Sequence, residues 1–183
     1  MNHPGTAEIR TERLVLRQFR ENDLDDVYEN YGSDPLVNRW ISFAPCADRE
    51  SAARFLQMHI ENYQNDPDFY GWAVTLDDTV IGSIGLFHID EDSDSMEIGY
   101  SIGSRWWSKG YATEAVSAVI NYAFEKIEAH RIYATHHIEN TASGRVMEKC
   151  GMSFEGIMKD AQKNRDGSFS DLKLYAVIND RRG

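Results

Sequence analysis

The fold class that the sequence predicts is α/β of the α+β type: helices packed on one mixed, mostly antiparallel sheet. Three observations predict it. The chain has 183 residues, which suits one compact domain with a sizeable core and is short for two. About seven segments carry strand signals, and the segments between them repeat apolar residues at helical spacing. Their order is strand, helices, three strands joined as an antiparallel run, helix, strand, helix, strand, strand, the pattern of a single sheet covered by helices.

Residues 13–19, RLVLRQF, alternate, with Leu14 and Leu16 on one face of a strand. ENDLDDVYENYG (21–32) reads as a short helix capped near Asn22 and stopped at Gly32. Asp34-Pro35 is an N-cap and first helical position for another short turn. Over 47–64, Ala52, Phe55, Leu56, His59, Ile60 and Tyr63 make one face of an amphipathic helix. FYGWAVTL (69–76) and TVIGSIGLFHI (79–89) pair as a hairpin about Asp77-Asp78, and DEDSDS (90–95) is an acidic loop. MEIGYSIG (96–103) puts Met96, Ile98, Tyr100 and Ile102 on one face and Glu97, Gly99, Ser101 and Gly103 on the other. Ala115, Val116, Val119, Ile120, Ala123, Phe124 and Ile127 recur at three and four, the clearest helix in the chain. RIYATHHI (131–138) is a strand, Asn140 to Lys149 a helix ended by Gly151, and 153–160 and 170–178 are strands turned around NRDG (164–167).

Apolar residues make up 42% and charged residues 27%, ordinary for a globular protein. The net charge of −11 argues against a nucleic-acid partner, which needs a basic footprint. It fits a cationic partner such as an amine or basic peptide, and equally a solvated acidic surface. MNHPGTAEIR lacks a signal-peptide pattern, and no window approaches ~18 continuous apolar residues, so no membrane span is expected. Cys46 and Cys150 read as reduced thiols, which places the protein in the cytoplasm. His136 and His137, adjacent on a strand, point to opposite faces and cannot share an ion; no metal is expected.

SRWWSKGYATEA (104–115) joins a strand to the long helix. At that helix start the backbone N–H groups of Lys109, Gly110, Tyr111, Ala112 and Thr113 have no intrahelical acceptor. Helped by the helix dipole, they form a site for an anion. Gly110 permits close approach, and Ala112 keeps the mouth of the site small. The spacing is not that of a Walker loop. A plain strand-to-helix turn remains the other reading.

Trp107-Ser108-Lys109-Gly110-Tyr111-Ala112 resembles the pyrophosphate-binding signature Q/R-x-x-G-x-G/A of the GNAT superfamily of N-acetyltransferases, with Trp107 in the place of Gln or Arg. The longer WSKGYATEA, then Asn140-x-x-Ser143 with Lys149-Cys150-Gly151-Met152, TERLVLR near the start and NRDGSFSDLKLYAVI near the end are similar to its RimJ/RimL-like branch. Together they span about residues 10–178, so the resemblance implies one domain over 1–183. It implies a sheet splayed in the middle, with acetyl-CoA in the V-shaped opening. Pantetheine pairs with the strand edge at Tyr100, Ser101 and Ile102, and pyrophosphate sits on 109–113 beside Trp107 and Ser108. Asn140 then reaches the pantetheine arm, or only caps its helix.

The chemistry so implied is direct attack of a neutral amine on the thioester. It needs a base for an ammonium of pKa about 10 and an acid for a thiolate near about 8.5. Glu97 is the candidate base, acting through a water, or else a structural carboxylate. The tyrosine that many relatives use as acid is replaced by Met147, which leaves Ser143, either as acid or as a helix-start serine. The glutamate proposed as base in RimL-like enzymes corresponds to Gln162. The acceptor side includes Asp23, Asp25, Asp26, Trp40, Phe43 and Tyr63, an acidic and aromatic lining for an ammonium or basic N-terminus. The expected function is acetyl transfer to a protein or peptide N-terminal α-amine. The alternatives are a polyamine or aminoglycoside acceptor and a non-catalytic acyl-CoA sensor. Relatives often dimerise, so a homodimer is a further implication of the resemblance.

Overall fold

The computed structural model describes residues 1–40, 46 and 48–180; Phe43 of the expected acceptor side lies outside them. Its eight strands are β1 (Ile9–Arg10), β2 (Val15–Arg17), β3 (Tyr70–Leu76), β4 (Thr79–Asp90), β5 (Ser95–Ile102), β6 (Arg131–His137), β7 (Ser153–Lys163) and β8 (Phe169–Ile178). They form one sheet in the order β1-β2-β3-β4-β5-β6-β8-β7. β1 is an addition to the expected strands: two residues are too few to show alternation. The β3–β4 hairpin turns on Asp77 and Asp78, both at positive φ (49° and 66°), as the tightest hairpins require and aspartate tolerates.

Every neighbouring pair is antiparallel except β5 and β6. These two run parallel and stay in register only at Ser95–Arg131, Met96–Ile132 and Glu97–Tyr133. Beyond Glu97 they part: β5 continues to Ile102 on β4, and β6 continues to His137 on β8. The sheet is thus open in the middle at the C-terminal ends of its one parallel pair.

Helices cover both faces. Helix α3 (Tyr111–Tyr122) and helix α4 (Thr141–Lys149) lie on one side, where Val116, Val119, Ile120 and Met147 close over Met96, Ile98, Ile102, Ile132 and Ala134. On the other side, Val27, Tyr31, Ala52 and Leu56 pack on Ala73 and Val80. That layer holds a 3₁₀ turn (Glu21–Asp23), a short helix α1 (Leu24–Asp26), a wider π turn (Val27–Gly32) and helix α2 (Arg49–Asn65). Asn22 does not cap the first turn as expected. Arg20 is its N-cap residue, and the Asp23 carboxylate reaches back to accept the Arg20 N–H at 2.7 Å. Asp48 caps α2, accepting the Ser51 N–H at 2.8 Å. Gly151, at φ 82°, ends α4, where left-handed backbone suits glycine.

Candidate active site

The opening between β5 and β6 gathers most of the residues singled out by sequence. Glu97 is the last residue of β5 in register with β6, so it stands at the closed end of the opening. Its carboxylate accepts the Thr135 hydroxyl at 2.9 Å from β6 and meets His88 Nδ1 at 2.8 Å from β4. The Glu97 side chain is mostly buried while His88 is open to solvent.

Further along β5, the antiparallel alternation decides which backbone groups face the gap. The Gly103 N–H bonds to Ile81 C=O on β4 at 2.9 Å, and the β4–β5 register is continuous from Gly82–Ile102 to Phe87–Glu97. Odd-numbered residues therefore turn their N–H and C=O toward β4, and Tyr100 and Ile102 turn theirs to the gap. Ser101 pairs with Ser83, so its backbone groups face β4 and not the opening. Trp107 donates its indole N–H to the Ile102 carbonyl at 2.6 Å; it tacks the loop to the strand end while its ring stays half exposed.

The loop then delivers the start of α3. Ser108 (φ 60°) and Gly110 (φ 87°) are both left-handed, and Gly110 is the N-cap residue without a side chain to cap with. The first helical bond to Gly110 C=O comes from Glu114 N–H at 3.0 Å. No protein acceptor meets the N–H groups of Tyr111, Ala112 and Thr113 among the described residues. These donors, with the positive end of the helix dipole, could hold an anion. Lys109 and Ser108 are exposed beside it.

Two residues that sequence reasoning passed over hold this loop. Arg13 donates to Lys109 C=O at 3.0 Å and lies 4.6 Å above the Tyr111 ring. Glu114 accepts the Arg13 N–H at 2.9 Å and its Nε at 2.7 Å, and the Thr11 hydroxyl at 2.6 Å. Burial raises the Glu114 pKa, but Thr11 and Arg13 outweigh it and hold the carboxyl below its usual range. Asp34 braces the other end of the loop, accepting the Ser104 N–H at 3.0 Å. Arg13 falls in the TERLVLR match, Glu114 in WSKGYATEA and Asp34 at a helix start, but nothing local marks their contacts with the loop.

Across the gap, α4 starts beyond the end of β6. Asn140 caps it, its side-chain oxygen facing the Ser143 N–H at 3.4 Å. Ser143 sits in the first turn, and its Oγ lies 2.9 Å from the Tyr100 hydroxyl. Gly144 lets the helix approach β6: a Cβ there would lie 2.9 Å from His136 Nε2. His136 is buried, which pushes its pKa down and favours the neutral ring. Met147 is buried in the core, as its chemistry suits. Glu97 and Ser143 therefore approach the opening from opposite faces of the sheet.

On the Glu97 face, the His137 ring lies 4.8 Å from that of Trp40, tilted by 36°. The two help line a cleft of about 600 Å³ with Arg39, Glu139, Gln162, Arg165 and Asp166. Gln162 donates to Trp40 C=O at 3.3 Å, an amide in the wall and not a base. Among the described residues, the three aspartates expected in this lining do not contribute to it. Asp23 is engaged by Arg17 through two bonds of 2.8 Å, Asp25 by Arg49, and Asp26 by the Val80 N–H at 2.8 Å. The Tyr63 hydroxyl is tied to Gly71 C=O at 2.7 Å. Each had a tertiary partner that took it out of the cleft, and Trp40 alone of the described set lines it. Among the described residues no cluster of three His, Cys, Asp or Glu is placed to hold a metal ion.

Residues 13–153 match the family described as Acetyltransferase (GNAT) domain. The Bacillus licheniformis protein named Uncharacterized N-acetyltransferase p20 is 32% identical over 171 residues, 93% of this chain and 95% of its own. The Escherichia coli (strain K12) ribosomal protein uS5-alanine N-acetyltransferase is 26% identical over 176 residues, 93% of this chain and 90% of its own. The solved structure of a GNAT-family acetyltransferase from Bacillus anthracis superposes with a TM-score of 0.81 at 30% identity, covering 94% of this chain and 99% of that one. With the open β5–β6 pair and the unpaired N–H groups at the start of α3, these likenesses establish that the chain belongs to the GNAT family of acetyl-CoA-dependent acetyltransferases.

Proposed function

We propose that the whole chain acts as one catalytic domain that acetylates the α-amine at the N-terminus of a protein or peptide. The observation that carries this is the arrangement of the opening: Glu97 and the cleft of about 600 Å³ share one face of the sheet, and Ser143 lies on the other. An amine enters from the first face, and the thiolate leaves toward the second. Pyrophosphate is held by the N–H groups of Tyr111, Ala112 and Thr113. Pantetheine pairs with the gap-facing backbone of Tyr100 and the N–H of Ile102, whose carbonyl already accepts the Trp107 indole N–H, and the amide N–H₂ of Asn140 reaches its arm.

Glu97, through a water, takes the proton from the ammonium so that the neutral amine attacks the thioester carbon. The C–N bond forms and the C–S bond breaks. Ser143, at the positive end of α4, donates to the departing thiolate, which leaves as the thiol. The second proton of the attacking nitrogen, shed as the amide forms, returns through water to restore the serine hydroxyl. The acceptor class follows from the lining. Two arginines offset the two carboxylates of the cleft, so it does not favour a polycation such as a polyamine or aminoglycoside. A peptide with one terminal charge and groups to stack on Trp40 and His137 suits it better. The name of the Escherichia coli relative agrees with this class. Among the described residues no helix is long and apolar enough to cross a membrane, and we place the acceptors in the cytoplasm.

The test is release of CoA over a panel of peptides with different N-terminal residues, polyamines and aminoglycosides. Turnover concentrated on peptides supports the proposal. Turnover concentrated on polycations overturns the acceptor class, and acetyl-CoA binding without release on any amine points to a sensor.

A further inference from the structure

We propose that Tyr100 is a positioning residue for the leaving-group step, its phenol replacing from the strand the hydroxyl that Met147 withholds from the helix. This rests on the reading of Ser143 as the thiolate's partner. The Tyr100 hydroxyl lies 2.9 Å from Ser143 Oγ and 3.2 Å from the Ser143 carbonyl oxygen. It thereby spans the gap between the strand that bears the free edge and the helix that bears the serine. The ring packs against the core, so the phenol arrives from a fixed direction. Burial raises its pKa, and the phenol keeps its proton throughout the neutral range.

A serine in the first turn of a helix has a free χ1 and competing acceptors: the cap residue and the carbonyl one turn back. The phenol has one proton for two acceptors, the Ser143 carbonyl oxygen and Oγ; aimed at Oγ it occupies one lone pair there and leaves the serine's own hydrogen for another acceptor. No such hydrogen bond is possible from the Met147 thioether, whose side chain is buried in the core. The tyrosine thus sets the direction of the Ser143 O–H without itself exchanging a proton with substrate.

Tyr100→Phe keeps the ring and removes the hydroxyl. With a competent peptide acceptor, kcat is expected to fall about tenfold, the weight of one aligned hydrogen bond, with KM for acetyl-CoA unchanged. In the Ser143→Ala background the same substitution is expected to add nothing, because the group it orients is gone. A wild-type kcat for Tyr100→Phe, or the same fold-loss with and without Ser143, would overturn the inference and leave the serine's role intact. A wild-type kcat for Ser143→Ala would instead remove the reading on which it rests. Equal rises in KM for both single variants would mark the contact as a brace for the helix only, which also overturns it.

Discussion

Replacing Gly110 separates the two properties that the loop combines. Its φ of 87° is left-handed, so a Cβ costs about 1–2 kcal/mol of backbone strain. The added Cβ would lie 3.3 Å from an Arg13 guanidinium nitrogen, the movable end of a long side chain, so packing adds little. Gly110→Ala thus reads the strain. Gly110→Asp tolerates the left-handed conformation better but brings a carboxylate to the three free N–H groups of Tyr111, Ala112 and Thr113. Taking an effective dielectric of about 40 and a separation of about 5 Å, each unit of pyrophosphate charge is repelled by about 1.7 kcal/mol. Two such charges give about 3 kcal/mol, or about 200-fold in Kd at low salt. At physiological ionic strength, screening over a Debye length of about 8 Å roughly halves the energy, leaving about 20-fold. Isothermal titration of acetyl-CoA into both variants at two salt concentrations measures this. An unchanged Kd for Gly110→Asp, or equal losses for Ala and Asp without salt dependence, would refute the placement of pyrophosphate on α3.

Two further substitutions probe how the loop and strand are held. Glu114→Gln turns an N–H₂ toward donors that the carboxylate now accepts and is expected to lower stability by about 1–3 kcal/mol, read as the shift in the urea midpoint. Because the folded Glu114 pKa lies below its ordinary value, the wild-type advantage is full above the unfolded carboxylate range and shrinks as pH falls through the lowered folded pKa; an advantage that grows on acidification would contradict this. Gly82→Ala places a Cβ 2.2 Å from the Ser101 carbonyl oxygen and 2.9 Å from Ile102 Cα. The backbone of β5 must move, so a loss of about 1–3 kcal/mol in thermal melts is expected together with weaker acetyl-CoA binding. A wild-type melt would show that the strands are not so closely apposed.

The parts of the fold that rest on local pattern were legible. The clean alternation of 96–103 and the three-and-four repeat of 115–127 put β5, its loop and α3 in place, and the Asn140 cap and Gly151 stop bound α4. Contacts over long sequence separation were not legible. Arg13 and Glu114 are 101 residues apart and Tyr100 and Ser143 are 43 apart; neither pairing leaves a periodic trace. The same cause misplaced Asp23, Asp25 and Asp26: their charge was visible, but the arginines and the Val80 N–H that hold them were not. Ser101 was grouped with its neighbours because a strand edge was named without the register that decides which way each residue's backbone faces.

The central claim is that acetyl-CoA lies along the open edge of β5 and ends on the start of α3. Residue-resolved amide hydrogen exchange with and without acetyl-CoA tests it most directly. Protection is expected to rise at Tyr100, Ile102, Tyr111, Ala112 and Thr113, with Ser101 unchanged because its N–H already faces β4. Protection that appears elsewhere while these five amides exchange as before would contradict it.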